Sequence, residues 1–283
     1  MTTYLCQVAA VSTSGYYRYF SDAAFDARKI RKQQDTAKAS IIRKAMKRCG
    51  YEKGSRQIKM FLDRSEKYEV MSLKTIQRIT KKFNITCSYR QKSKQKAIMK
   101  ATQEHHTAPN VLHRQFKTGI ARKVLLTDIS YLPYYGGKTA YLSAVIDAET
   151  TELLGHVVSP SLKIEFVLKT IEQVFGKREF ELAEGALINS DQGCHYTSPQ
   201  FKKLVESKGL IQSMSRRGNC WDNAPIESFF GHLKDNIDLE DCRTFKEVKQ
   251  EVDSYIRYYN NFRYKWNLKK MTPVEYRNHL LAQ

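Results

Sequence analysis

No stretch of this 283-residue chain approaches the ~18 consecutive apolar residues that a membrane-spanning helix needs. The start, Met1-Thr2-Thr3-Tyr4-Leu5-Cys6, has no charged segment followed by an apolar one, so no secretory signal is expected. Cysteine is sparse: the six residues Cys6, Cys49, Cys87, Cys194, Cys220 and Cys242 are scattered, with no C-x-x-C pair. That excludes a disulfide framework or a zinc knuckle and predicts reduced thiols in a cytoplasmic protein. The one histidine pair, His105-His106, lacks the spacing of helix-borne metal ligands. Acidic residues are scarce in the first part of the chain. Residues 1–107 carry 24 basic and 8 acidic side chains, net +16, whereas residues 108–283 carry 24 and 21, net +3. Such asymmetry predicts a polyanion-binding front joined to a different machine.

The front reads as helical. Asp22 to Cys49 contains no Gly or Pro and is rich in Ala, Lys, Arg and Gln, with Gly50 as its stop. Before it, the run from Val8 predicts a small-residue helix that gives way to a Ser/Thr/Gly turn near Ser12-Thr13-Ser14-Gly15. Two short helices are expected over 55–86, one capped by Ser55 and one by Ser72. In the second, Leu73, Ile76, Ile79 and Phe83 share an apolar face, which leaves Lys74, Arg78, Lys81 and Lys82 available to a DNA groove. The alternative is an ordinary amphipathic helix with a basic exterior. The segments expected are a helical leader at 1–50, a helix-turn-helix-like region at 51–87, a basic linker at 88–118 and a larger domain at 119–283.

From about residue 120 the pattern turns to strands. Val124 to Leu132, Thr139 to Asp147 and Leu153 to Val158 predict an antiparallel meander, with Gly136-Gly137 as one turn. A helix over 161–175, a short strand at Ala186–Asn189, a helix from Pro199, a strand at Leu210–Ser213 and a helix from Pro225 follow. The order describes an α/β mixed sheet flanked by helices. Further helices are expected at 244–259 and 273–280. Asp128 falls within the first strand, Asp191 just past the short fourth, and Glu227 in the first turn of the helix opened by Pro225. Lys234 is seven residues beyond Glu227 and shares its helical face. Asp147 ends the second strand and is expected near the centre as a supporting residue.

The runs Thr127-Asp128-Ile129-Ser130-Tyr131, Asn189-Ser190-Asp191-Gln192-Gly193 and Gly218-Asn219-Cys220-Trp221-Asp222-Asn223-Ala224-Pro225-Ile226-Glu227 resemble the DDE transposases of insertion sequences. The IS-three family, and its OrfB component, is the nearest match. Tyr258-Tyr259-Asn260-Asn261-Phe262-Arg263 and Met271-Thr272-Pro273 fit as well. The resemblance implies an RNase H-like, retroviral integrase-type core. It implies metal-dependent DNA strand cleavage and strand transfer, with Asp128, Asp191 and Glu227 holding two Mg²⁺ (or Mn²⁺) ions. It also implies Lys234 on terminal DNA, with the element ends and target duplex as substrates and a homo-oligomer on DNA. The partner it implies is an upstream OrfA protein, joined as a frameshift fusion. Nucleoid association follows when DNA is bound. Competing readings are a non-catalytic DNA-binding regulator and an RNase H-like nuclease without strand transfer.

Overall fold

The computed structural model describes residues 2–50, 53–87, 108–112, 115–176, 180–215 and 223–282. Much of the basic tract at 88–107 thus lies outside the described residues. Contacts divide the chain into two units, 1–88 and 89–283.

The first unit is helical: α1 (Thr2–Val8), α2 (Thr13–Phe20), α3 (Asp22–Met46), α4 (Ser55–Asp63) and α5 (Leu73–Lys82). The Ser/Thr/Gly stretch expected as a turn instead starts a helix. Ser12 Oγ accepts the Gly15 N–H at 3.1 Å, an N-cap. Ser72 caps α5 as expected, accepting from Thr75 N at 3.2 Å. Ser55 does not cap α4; Gly54 holds that position without a side-chain bond. The leader and the following helical pair share one core. Ala39, Ile42 and Ala45 of α3 pack with Ile58 and Leu62 of α4 and with Ile76 and Ile79 of α5. At its margin Asp35, only 2% exposed, receives two bonds from Arg78 (2.7 and 2.9 Å) and one from Lys82 (2.7 Å). Those cations hold its carboxyl well below the usual carboxylate range.

The second unit is built on a mixed sheet of five described strands in the order β3-β2-β1-β4-β5. They are β1 (Val124–Tyr134), β2 (Lys138–Asp147), β3 (Leu153–Ser159), β4 (Leu187–Ser190) and β5 (Ile211–Met214). The first three form the expected antiparallel meander, while β4 and β5 join in parallel. Parallel neighbours need crossovers. These are α6 (Ile164–Phe175) and α7 (Pro199–Ser207). Strand alternation sorts the side chains. Leu125 and Ile129 of β1 and Tyr141 and Val145 of β2 face a core filled by Phe166, Val167 and Ile171 of α6 and Phe201 and Val205 of α7. Helix α6 comes so close to β3 that a Cβ at Gly155 would lie 2.6 Å from Val174 Cγ2 and 3.0 Å from the Thr170 carbonyl oxygen. The opposite face of β1 receives α8 (Ala224–Asn236), whose Ile226, Phe229, Phe230 and Leu233 are buried.

Helices α9 (Phe245–Asn261) and α10 (Pro273–Leu281) both start with capping boxes, Thr244 with Glu247 and Thr272 with Glu275. They fasten the β2–β3 turn. The Asn260 side-chain amide exchanges two hydrogen bonds with the Leu153 backbone, at 3.0 and 2.9 Å. Arg277 pairs with the buried Glu152 at 2.5 Å. Asp147 belongs to this turn. Its carboxylate accepts from Glu149 N, Thr150 N and Thr150 Oγ1, the last at 2.7 Å.

Candidate active site

Asp128 is the fifth residue of β1, paired with Ala144 of β2. It differs in parity from Leu125 and Ile129, so its side chain leaves the sheet on the α8 face. Parallel pairing of β1 with β4 runs at a constant offset: Val124 with Leu187, Leu125 with Ile188, Leu126 with Asn189. The same offset, carried two residues further, sets Asp191 opposite Asp128, one residue past the end of β4. Asp191 lies beyond the paired residues, but its charge acts on Asp128, as does that of Glu227. Helix α8 brings Glu227 in its first turn. Its start is tied to β1 beside Asp128, where buried Asn223 donates from Nδ2 to the Thr127 carbonyl at 3.4 Å.

Each carboxylate is held differently. Asp128 is half-buried, and its Oδ1 accepts the Ile129 N–H at 2.7 Å. Burial, followed by the negative charges of Asp191 and Glu227, pushes its pKa up to about 7, against the pull of the Ile129 N–H and Lys234. Asp191 is exposed and accepts the Gly193 N–H at 2.9 Å. A Cβ at Gly193 would sit 2.9 Å from the same Oδ1, so any larger residue there would shift the Asp191 carboxylate. Gln192 anchors the turn by donating to the Ser215 carbonyl at 3.1 Å. Glu227 has its pKa raised by burial. Among the described residues no set of three is already drawn in to metal-ligand distance.

Of the supporting residues, Lys234 is exposed on α8, and its charge reaches Asp128. Asp147 does not approach the centre. It pairs with Leu125, three positions along β1 from Asp128 and on the other face, and it serves the β2–β3 turn. His195 donates from Nε2 to the Leu162 carbonyl, 2.7 Å away, a packing role. Trp221 lies outside the described residues. Asn189 is buried between β4 and β5: Ser213 Oγ donates to its Oδ1 at 2.9 Å, and its Nδ2 donates to Ser215 Oγ at 3.1 Å. On α5, Lys74 and Lys81 are exposed, whereas Arg78 and Lys82 spend part of their charge on Asp35. The contribution of Gly193 was not read from the sequence, and Asn223, like Trp221, was read there as either shaping the loop over the site or structural. Gly193 and Asn223 stand in the motifs quoted above, but only the fold shows what they touch.

The sheet and its helices have the architecture of the integrase class of polynucleotidyl transferases, and the family matches agree. Residues 120–220 match an integrase core domain family, and residues 227–281 match a second family of the same description. The chain is 39% identical over 173 residues to the inferred transposase InsK of insertion sequence IS150 from Escherichia coli K12, covering 61% of this chain and 60% of that protein. It is 30% identical over 276 residues to a 31 kDa uncharacterized protein of insertion element IS600 from Shigella sonnei, covering 96% and 97%. The catalytic core of HTLV-2 integrase, solved with magnesium, superposes with a TM-score of 0.45 at 14% identity, over 56% of this chain and 97% of that one. The chain belongs to the DDE-type transposases of insertion sequences, in the IS-three family. It spans about three fifths of the InsK protein and nearly all of the IS600 one. No described helix is long and apolar enough to cross a membrane.

Proposed function

We propose that this transposase cuts and joins DNA strands at divalent metal ions held by Asp128, Asp191 and Glu227. The observation that supports it is that Asp128 on β1 feels the charges of both Asp191, just past β4, and Glu227, in the first turn of α8. The donor set fits a hard cation. All three ligands are carboxylate oxygens, as Mg²⁺ or Mn²⁺ prefers, and neither histidine nor thiolate is needed. The pKa of Asp128 is raised by burial first and then by the charges of Asp191 and Glu227, and a bound cation would offset both.

Ions held there would supply activation of the attacking oxygen and stabilisation of the leaving one in an in-line displacement. Asp128, Asp191 and Glu227 would together hold them, Asp128 being the carboxylate on which the charges of the other two act. Asn223 fixes where α8 begins, and so where Glu227 stands. Gly193 lets the Asp191 turn close. Lys234 binds the phosphate beside the carboxylates and positions it. The basic first unit supplies affinity for duplex, through Lys74 and Lys81 and through what charge Arg78 and Lys82 retain. Its substrates are the element ends and a target duplex. Its partners are further copies on DNA and an upstream OrfA protein, in a frameshift fusion.

The test uses labelled duplex ends and a target duplex in Mg²⁺. Asp128→Asn, Asp191→Asn and Glu227→Gln should each lower cleavage by about 100-fold or more while DNA affinity changes little. Near-normal cleavage by any one variant removes that residue from the site. Cleavage by the unaltered protein with no joined product would make it a nuclease, and binding with no metal-dependent cleavage a regulator.

A further inference from the structure

Strand β4 pairs with β1 only along Val124–Leu126. From Thr127 to Tyr134, β1 keeps β2 on one side, and no described strand pairs with its other edge. Asp128 opens that unpaired stretch. On one face of it stand Asp128 and α8, with Glu227 and Lys234. Tyr131, three residues on and of opposite parity, stands on the other.

Tyr131 is 54% exposed, while its backbone is held in the β1–β2 ladder. It pairs with Tyr141, and its neighbours Ser130 and Leu132 are buried. The Tyr141 ring meets it nearly perpendicular, at 81° and 5.3 Å between centroids. A T-shaped contact covers at most one face of a ring, so at least one face of Tyr131 is left for another partner. Burial and the Tyr141 hydroxyl, followed by Cys194, Asp191 and Asp128, push its hydroxyl's pKa up, so the ring stays neutral. A neutral ring with an open face suits a flat, uncharged group.

We propose that Tyr131 is a stacking platform for an unpaired base of the DNA strand whose phosphate is held at Asp128 and Asp191. This rests on the catalytic reading above. Residues 128 and 131 are ~10 Å apart along a strand, the rise of about three stacked nucleotides. The base is therefore within about three nucleotides of the scissile phosphate. Stacking is tolerant of base identity because every base presents a π-face. The platform thus holds the strand end in place while contacts elsewhere recognise the element. Tyr131 is a positioning residue; the reacting groups are on the other side of the strand edge.

Two measurements on the full chain test it. In the first, 2-aminopurine replaces each of the three bases on either side of the scissile phosphate in turn, and its fluorescence is followed on binding without metal. The unaltered protein should change the signal at one position. Tyr131→Phe and Tyr131→Trp should reproduce the change, and Tyr131→Ala and Tyr131→Leu should lose it. In the second, Tyr131→Ala should slow joining of pre-cleaved ends by ~10-fold. An abasic site at the responding position should slow the unaltered protein equally, with no further loss in Tyr131→Ala. Tryptophan-monitored melting checks that the variants fold, and Leu preserves apolar bulk where Ala does not. No responding position, an unchanged signal in Tyr131→Ala, or a loss in Tyr131→Phe as large as in Tyr131→Ala overturns the proposal. Failure of the unaltered protein to cleave in Mg²⁺ instead overturns the catalytic reading, and the fluorescence arm still decides the stacking.

Discussion

The carboxylate crowding at Asp128 has a price in stability, and Asp128→Asn should reveal it. The side chain's pKa rises from an ordinary 3.8 to about 7, chiefly through burial and then through Asp191 and Glu227. A carboxyl raised in the folded state keeps its proton there while the unfolded chain has lost it. Folding is therefore unburdened below about pH 4, and the burden grows as pH rises towards 7 and is complete above it. A displacement from 3.8 to about 7 corresponds to ~4 kcal/mol in favour of the protonated form. Asp128 is only half-buried, so about half of that, ~2 kcal/mol, is the expected effect. Asn keeps the shape and can still accept the Ile129 N–H, so the substitution removes the charge and little else.

The assay follows from where the tryptophans are. Both, Trp221 and Trp266, belong to the second unit, so their fluorescence reports its unfolding and not that of the helical front. In a chelator, Asp128→Asn should melt about 4–8 °C above the unaltered protein at pH 8, given ~2–4 °C per kcal/mol for a unit of this size. The gap should close as pH falls to about 4. Adding Mg²⁺ should stabilise the unaltered protein and leave the variant nearly unmoved. A metal-free variant that melts at or below the unaltered protein at pH 8 would refute the claim that Asp128 is an uncompensated, crowded charge.

Lys234→Ala should slow joining of pre-cleaved ends at subsaturating DNA and leave metal-dependent stabilisation in place, with Lys234→Arg recovering much of the rate; an unaltered rate in the alanine variant would make it a solvated surface lysine. Replacing Lys74 and Lys81 together by alanine should flatten the log–log salt dependence of duplex binding by about 2, near 0.9 per lost phosphate contact, without moving the melting of the first unit. Arg78→Ala should have the converse profile, lower helical stability with a smaller change in salt slope, because Arg78 is tied to buried Asp35. That loss should fade as pH falls and Asp35 takes up its proton, since a depressed carboxylate contributes only while it is ionised.

What could be read from the sequence, and what could not, divides by the range of the interaction. Strands β1 to β3 and helices α6 to α8 came from local apolar runs and breakers, and their ends fall within a few residues of expectation. Ser12–Gly15 was misread because Ser, Thr and Gly suit a turn and a helix cap alike. The deciding fact is a bond the sequence does not show: Ser12 Oγ accepts the Gly15 N–H and so starts a helix where a turn was expected. The positive charge of α5 was visible, but its partner was not, since Asp35 sits 43 residues before Arg78.

Asp147 and Asp128 show the same division at the site itself. Both are aspartates in neighbouring antiparallel strands, and nothing local ranks one above the other. Pairing does. Asp128 is opposite Ala144, so Asp147 falls against Leu125, an odd number of positions away and on the α6 side of the sheet. There its oxygens are consumed by the Glu149–Thr150 turn, while those of Asp128 face Asp191 and the start of α8. A one-residue change in that register would exchange the faces of the whole strand. The candidate active site is in this sense a property of the β1–β2 and β1–β4 registers, and the family motifs are the sequence trace that those registers leave.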